Sequence, residues 1–142
     1  MYHAMSESER LAFLRDPVRP AMLSSVRADG RPHVAPIWYD VDGDLVVFTT
    51  GASTVKGRNL QRDPRVALCV HDDQPPYSFV LVEGVAEISD DREALRSWAA
   101  RIGGRYMGAH RADEYGARNG VPGELLVRVT PIRASGSKDV AE

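Results

Sequence analysis

Two Asp-Gly pairs, at 29–30 and 42–43, separate three short segments of strand-like sequence in the first third of the chain. Asp-Gly tolerates the positive φ angles that tight hairpin turns require, so each pair predicts a reversal of chain direction. The flanking segments, 21–27, 33–39 and 44–50, are rich in alternating or continuous apolar residues. The pattern therefore predicts an antiparallel meander of three strands.

Three later segments, at 65–71, 77–89 and 124–132, also have strand-like sequence and bring the predicted number of strands to six. Gly84 interrupts the second of them and predicts a β-bulge or the close approach of another group. Six antiparallel strands leave exposed edges unless the sheet closes on itself. We therefore expect a mainly β fold, a six-stranded antiparallel split β-barrel with flanking helices.

Helices are predicted between some of these strands. The first begins at Ser6, which has the capping-box pattern with Glu9. A later helix follows the fifth strand and is expected to end at the glycine pair 103–104, because glycine commonly follows a last helical turn. Residues 105–119 are less periodic and are expected to form a broken helix and a loop.

A length of 142 residues suits one domain with its own core, and we expect a single domain over 1–142 with flexible segments at 1–5 and 134–142. The net charge of −2 provides no electrostatic attraction to nucleic acid. No apolar run approaches the roughly 20 residues that span a bilayer, so no membrane association is expected. A polar N-terminus and a single cysteine, Cys69, predict a cytoplasmic protein.

The short helix after the third strand has an unusual charge distribution. Ser53 or Thr54 is the expected N-cap, which places Lys56 and Arg58 in or near the first turn. A helix N-terminus already carries unpaired N–H groups and about half a positive charge, so cations there are unfavourable unless an anion binds. The pattern is typical of a phosphate site. A solvated basic surface helix is the alternative interpretation.

Other chemistry has little support in the sequence. It contains no G-x-S-x-G, H-E-x-x-H or G-x-G-x-x-G motif, and its four histidines lack metal-ligand spacing, so no metal site is expected. Trp38 and Tyr39 end a predicted strand just after Pro36. An aromatic pair there lines a flat heterocycle or packs at a barrel rim, and both interpretations remain open.

A family resemblance rests on the run PHVAPIWYDVDGDLVVFTTGASTVKGRNLQRDPRVALCV. This run resembles the split β-barrel flavin and deazaflavin oxidoreductases, the pyridoxamine 5′-phosphate oxidase-like superfamily. Within it, the chain is most similar to the actinobacterial reductases of the B type, which use coenzyme F420. The most specific parts are the P-x-W-Y strand ending, the K-x-R-N-L helix followed by D-P-R-V, and the E-G-x-A strand. The resemblance covers roughly residues 11–133.

The resemblance implies a homodimer with two cofactor sites at the subunit interface, each holding F420 or, as the alternative, FMN. The residues implied to bind the cofactor phosphate are Thr50, Ser53, Lys56 and Arg58, with Asn59 holding the loop. The ring system is implied to lie along Pro36, Ile37 and Trp38, near Val34 and Ala35. The partner subunit is implied to close the site through residues near 77–79 and the C-terminal strand.

The implied activity is hydride transfer from reduced F420 to a small electron-poor substrate. An FMN-dependent enzyme of the same fold and a non-catalytic carrier of the cofactor are the alternatives. The sequence lacks the arginine- and lysine-rich strand motif and the longer C-terminal segment of pyridoxamine 5′-phosphate oxidases, so vitamin B6 oxidation is not expected. The substrate pocket is expected around 72–76 and 103–122, and no catalytic side chain is singled out.

Overall fold

The computed structural model describes residues 3–142, in which antiparallel strands predominate and four α-helices pack around them. Met1 and Tyr2, part of the predicted flexible segment 1–5, lie outside the described residues. The strands are β1 (His3–Ala4), β2 (Ala21–Val26), β3 (Pro32–Ile37), β4 (Asp40–Asp42), β5 (Leu45–Gly51), β6 (Arg65–Asp72), β7 (Ser78–Ser89) and β8 (Glu124–Lys138). The helices are α1 (Glu7–Arg15), α2 (Val55–Arg62), α3 (Arg92–Met107) and α4 (Ala112–Asn119), with a 3₁₀ turn at Ala109–Arg111.

The strands form one sheet in the order β3-β2-β6-β7-β8-β5-β4, and β1 pairs with the end of β8. The mainly β, antiparallel prediction is confirmed. The predicted count of six strands is wrong, because residues 3–142 contain eight strands, whose hydrogen-bonded order runs from β3 to β4 as an open path. The two additional strands are β1 and β4, each of which has only two or three residues.

The predicted middle strand 33–39 is β3, which ends at Ile37, and the chain then crosses to β4 at the opposite end of the sheet. Both Asp-Gly hairpins are confirmed, since β2 pairs with β3 and β4 pairs with β5. The chain leaves the sheet between them because the amide of Tyr39 donates to the hydroxyl of Tyr106 (3.2 Å). The buried Tyr39 hydroxyl in turn donates to the carbonyl of Leu14 (2.7 Å). The three-stranded meander is therefore wrong.

The C-terminal strand is longer than predicted. β8 continues to Lys138 and pairs with β7 as far as Ser137, opposite Phe79. Residues 134–138 of the segment predicted to be flexible belong to β8, and their backbone pairs with β7 and with β1. The bulge predicted at Gly84 is confirmed by a register shift, and a Cβ at Gly84 would lie 2.5 Å from the carbonyl oxygen of Thr130.

The glycine pair 103–104 does not end a helix, because α3 continues through it to Met107. The reason is close packing against α4. A Cβ on Gly103 would overlap the Cβ of Tyr115 and lie 2.5 Å from its Cγ. The segment predicted as a broken helix and loop contains the last turn of α3, the 3₁₀ turn and α4. The α3–α4 pair covers the edge of the sheet that carries β5, with Leu95 packed on Val47 and Leu126.

Candidate functional site

A cleft of about 260 Å³ opens where the end of β3, the beginning of α2 and the α3–α4 pair meet. Residues from all of these elements line it: Pro36, Ile37, Trp38, Thr49, Lys56, Ala99, Ile102, Gly103, Tyr115 and Asn119. Four of the eight predicted site residues, Pro36, Ile37, Trp38 and Lys56, therefore lie in one cleft. Pro36 and Ile37 belong to β3, Trp38 follows β3 directly, and Lys56 belongs to α2. The hairpin of β4 and β5 separates the first three residues from Lys56 in the sequence.

Trp38 is the principal aromatic surface of the cleft. Its indole is stacked on Tyr106, with ring centroids 5.0 Å apart and an angle of 4° between the planes. Tyr115 approaches it edge-on at 5.7 Å. Trp38 is still 40% exposed, so part of the ring remains free to contact a ligand. Flat conjugated rings bind to such a surface by offset stacking.

Lys56, in the first turn of α2, and Thr49 of β5 line the cleft as polar residues, and the N-cap of α2 is two residues before Lys56. Thr54, rather than Ser53, is the N-cap: its Oγ1 accepts from the amide of Gly57 (3.0 Å) and donates to the carbonyl of Gly51 (2.8 Å). The hydroxyl of Thr50, which is buried, lies 3.2 Å from that of Thr54. First-turn amides have no intrahelical acceptor, and α2 has no acidic residue in its first turn. The local field at this helix end therefore favours an anion.

Lys56 and Arg58 open on to different clefts. Residues two apart on a helix do not share a face, so the two cations point to opposite sides of α2. Lys56 is half-buried and lines the cleft that contains Trp38, whereas Arg58 is exposed. A second cleft of about 340 Å³ is lined by Arg27, Ala28, Asp29, Val55, Arg58, Asn59 and Arg62. The structure thus divides the two predicted cationic phosphate ligands between two concave surfaces, and neither Thr50 nor Ser53 lines either one.

Asn59 connects α2 to the sheet. The side chain is 4% exposed; its Nδ2 donates to the hydroxyl of Ser25 on β2 (3.0 Å) and its Oδ1 accepts from Arg62 (3.0 Å). Both polar ends of the amide are therefore engaged inside the fold. This arrangement agrees with a role in holding the helix and its loop rather than in contacting a ligand. Ser53, in contrast, is exposed in the loop before α2.

Glu124, the first residue of β8, is the acidic neighbour of Lys56. It pairs with Gly51 across the sheet and is partly buried. Burial raises the pKa of Glu124, while the positive charge of Lys56 acts in the opposite direction. A carboxyl with a raised pKa is protonated more easily as the pH falls. Protonation of Glu124 removes a negative charge beside Lys56 and thereby favours the binding of an anion there.

Sequence reasoning missed most of the helical wall. Ala99 and Ile102 belong to a helix that the sequence predicted without a role in the site. Gly103, Tyr115 and Asn119 fall in the range 103–122, where the substrate pocket was expected. Their position in the same cleft as Trp38 was not predicted. The missed signal was the glycine pair on the buried side of an amphipathic helix, which also marks close contact with another element.

Residues 3–142 contain neither a metal-ligand cluster nor a membrane-spanning helix. No group of three or more histidine, cysteine, aspartate or glutamate side chains in this part of the chain is arranged to hold a metal ion. None of the helices described here has the length and apolarity required to cross a membrane.

Comparison with known proteins agrees with this fold. Residues 7–137 match the family described as Pyridoxamine 5′-phosphate oxidase. A curated pyridoxine/pyridoxamine 5′-phosphate oxidase from Myxococcus xanthus (strain DK1622) is 34% identical over 104 residues, which are 72% of this chain and 50% of that protein. The chain spans about half the length of the curated relatives it matches.

Two solved structures have similar folds. The crystal structure of a conserved hypothetical protein from Mycobacterium tuberculosis has a TM-score of 0.82 and 30% sequence identity, covering 97% of this chain and 89% of that chain. The structure of an F420 reductase has a TM-score of 0.68 and 28% identity, covering 87% of this chain and 93% of that chain. The chain belongs to the pyridoxamine 5′-phosphate oxidase family, and the superfamily predicted from the sequence is confirmed.

Proposed function

We propose that this protein is an oxidoreductase of the F420-dependent B type, which transfers a hydride from reduced coenzyme F420 to a small electron-poor substrate in the cytoplasm. The observation that carries the proposal is a single cleft in which the exposed indole of Trp38 lies opposite Lys56 and the beginning of α2. A flat ring and an anionic group in one ligand match these two surfaces. The similarity to the F420 reductase supports the choice of cofactor.

The residues present suit such a cofactor. Lys56, the exposed hydroxyl of Ser53 in the adjoining loop and the first-turn amides of α2 would hold its phosphate, and Pro36, Ile37 and Trp38 would contact its ring. Thr50, predicted for the same role, is buried beside Thr54, and its neighbour Thr49 lines the cleft instead. Arg58 would bind an acidic part of the cofactor that extends into the second cleft. Reduced F420 supplies the hydride when it is bound, so the chain needs only to orient the ring and exclude water.

FMN is the second candidate cofactor, and the family match favours it, since the curated relatives are pyridoxine/pyridoxamine 5′-phosphate oxidases. An FMN-dependent enzyme would use the same two surfaces, because FMN also combines a flat tricyclic ring with a phosphate. A carrier that binds either cofactor without turnover would use them as well. Binding and turnover must therefore be measured separately.

Purified protein titrated with F420 and with FMN, with fluorescence as the signal, is expected to bind F420 with a dissociation constant below tens of micromolar. Reduced F420 should then be oxidised in the presence of at least one member of a panel of electron-poor acceptors. Binding of FMN alone, with pyridoxamine 5′-phosphate as a further test substrate, would favour the FMN-dependent enzyme. Binding without turnover would favour the carrier, and no binding of either cofactor would contradict all three.

We also propose that a second copy of the chain closes the cleft. Met22, Cys69 and Leu81 lie opposite one another on β2, β6 and β7, and Pro36 continues this row on β3. This outer sheet face is apolar and exposed, with Leu81 at 42%. Pro36 also lines the cleft, so the apolar face reaches the rim of the site. A copy seated on that face would border the ligand and cover the apolar side chains.

Light scattering on the purified protein should give the mass of two chains. Leu81→Glu is expected to shift the protein toward a single chain, because it places a charge in the apolar row. Val18→Glu is the matched control, since Val18 has a similar exposure (43%) but lies in the connection between α1 and β2. A wild-type protein with the mass of one chain would contradict the proposed dimer.

A further inference from the structure

Tyr106, in the last turn of α3, connects three separate segments behind the cleft. Its ring lies parallel to that of Trp38 at 5.0 Å. Its hydroxyl accepts from the amide of Tyr39 (3.2 Å) and donates to the carbonyl of Arg19 (2.7 Å). The side chain therefore fixes both the indole of Trp38 and the backbone of the next residue.

The position of Tyr106 determines which face of Trp38 is available. Tyr106 does not line the cleft, although Trp38 does, so Tyr106 covers the indole from the side away from the cleft. Tyr115 contacts the indole edge-on and limits its rotation. The indole is consequently held in one plane, with the remaining exposed surface directed to the cleft.

Neighbouring contacts keep Tyr106 itself in place. The guanidinium of Arg105, the preceding residue, donates to the carbonyls of Leu14 (2.9 Å) and Arg15 (2.7 Å) and lies 3.8 Å from the carboxylate of Asp40. These contacts attach the last turn of α3 to α1 and β4. Burial raises the pKa of Tyr106, which keeps its hydroxyl protonated and able to donate.

We propose that Tyr106 is a positioning residue for ring stacking: it holds Trp38 so that the open face of the indole stacks on the flat ring of the bound cofactor. The complex would contain three parallel layers, the ligand ring, Trp38 and Tyr106. This inference rests on the proposed function for the identity of the ligand. Tyr106, although it lies outside the cleft, would make the site prefer planar, conjugated rings to flexible anions of the same charge.

The test uses Trp98→Phe protein, in which Trp38 is the only tryptophan. Titration with F420 and FMN and quenching of Trp38 emission by acrylamide are compared in this protein, in Tyr106→Leu and in Tyr106→Phe. Tyr106→Leu removes the stack and should weaken cofactor binding about fivefold to tenfold and make Trp38 more accessible to acrylamide. Tyr106→Phe keeps the ring and should restore most of the affinity. Inorganic phosphate binding should be unchanged in all three.

The outcomes separate the two proposals. Absence of F420 and FMN binding in the Trp98→Phe protein contradicts the proposed function and, with it, this inference. Binding of F420 or FMN that leaves the acrylamide quenching of Trp38 unchanged contradicts the proposed stacking but not the proposed function. This measurement needs only the Trp98→Phe protein. Equal affinities in Tyr106→Leu and the Trp98→Phe parent would also overturn the role of Tyr106. Val18→Leu, at an exposed side chain outside this cleft, is the control and should change neither measurement.

Discussion

Replacing Gly103 with alanine is expected to destabilise the protein by about 1–2 kcal/mol and to narrow the cleft. The new Cβ would overlap Tyr115, whose own Cβ cannot move without moving α4. Overpacking of this kind costs typically about 1–3 kcal/mol, whereas alanine gains at most about 1 kcal/mol over glycine in a helix. The steric cost therefore exceeds the gain. Because Tyr115 contacts Trp38 edge-on, cofactor binding should weaken as well.

Gly104→Ala is the matched control, one residue further along the same helix. An added Cβ there would lie 3.1 Å from the Cβ of Ala112, which requires an adjustment of only a few tenths of an ångström. We expect its free energy of unfolding in urea to equal or slightly exceed that of the wild type. Equal stability of the Gly103 and Gly104 variants would contradict the close packing of α3 on α4.

Lys56→Ala is expected to weaken cofactor binding by roughly 10-fold to 150-fold. A hydrogen bond between a cation and a phosphate is worth about 1.5–3 kcal/mol, and Lys56 provides the charge in the cleft that contains Trp38. The unfolding free energy of the free protein should change little, because relief of an unfavourable cation near a helix N-terminus is offset by the loss of the attraction between Lys56 and Glu124. Titrations of both proteins at one ionic strength, with urea unfolding in parallel, measure the two effects.

Arg58→Ala removes the same charge from the opposite side of α2 and is the natural comparison for Lys56→Ala. Since Arg58 lines the second cleft, its removal should reduce affinity less than the removal of Lys56. A cofactor affinity that is unchanged in Lys56→Ala would exclude Lys56 from the site. A larger loss in Arg58→Ala would shift the anion site to the cleft with Arg27 and Arg62.

The parts of the fold that depend on local sequence were predictable. Both Asp-Gly hairpins, the capping box at Ser6 and the bulge at Gly84 follow from side chains close in sequence. The break after Ile37 was not predictable, because the acceptor for the amide of Tyr39 is a hydroxyl 67 residues away. The extension of β8 to Lys138 also lacked a local signal, since its polar end is held by backbone pairing on both sides.

Residues of the candidate site were predictable where the sequence pattern of a single strand or helix indicates them. Trp38 and Lys56 were identified from strand and helix patterns, and the structure places both in one cleft. The separation of Lys56 from Arg58 follows from helical geometry and was available from their spacing. Contacts between distant elements, such as Tyr106 behind Trp38, cannot be inferred from one sequence, because no local pattern records which helix packs on which strand ending.

The most direct test of the central claim is a crystal structure of the protein with F420 bound. The proposed function predicts that the deazaflavin ring lies against the open face of Trp38. The phosphate should be within hydrogen-bond distance of Lys56 and the first-turn amides of α2. A cofactor bound elsewhere, with the cleft between Trp38 and Lys56 empty, would contradict the account.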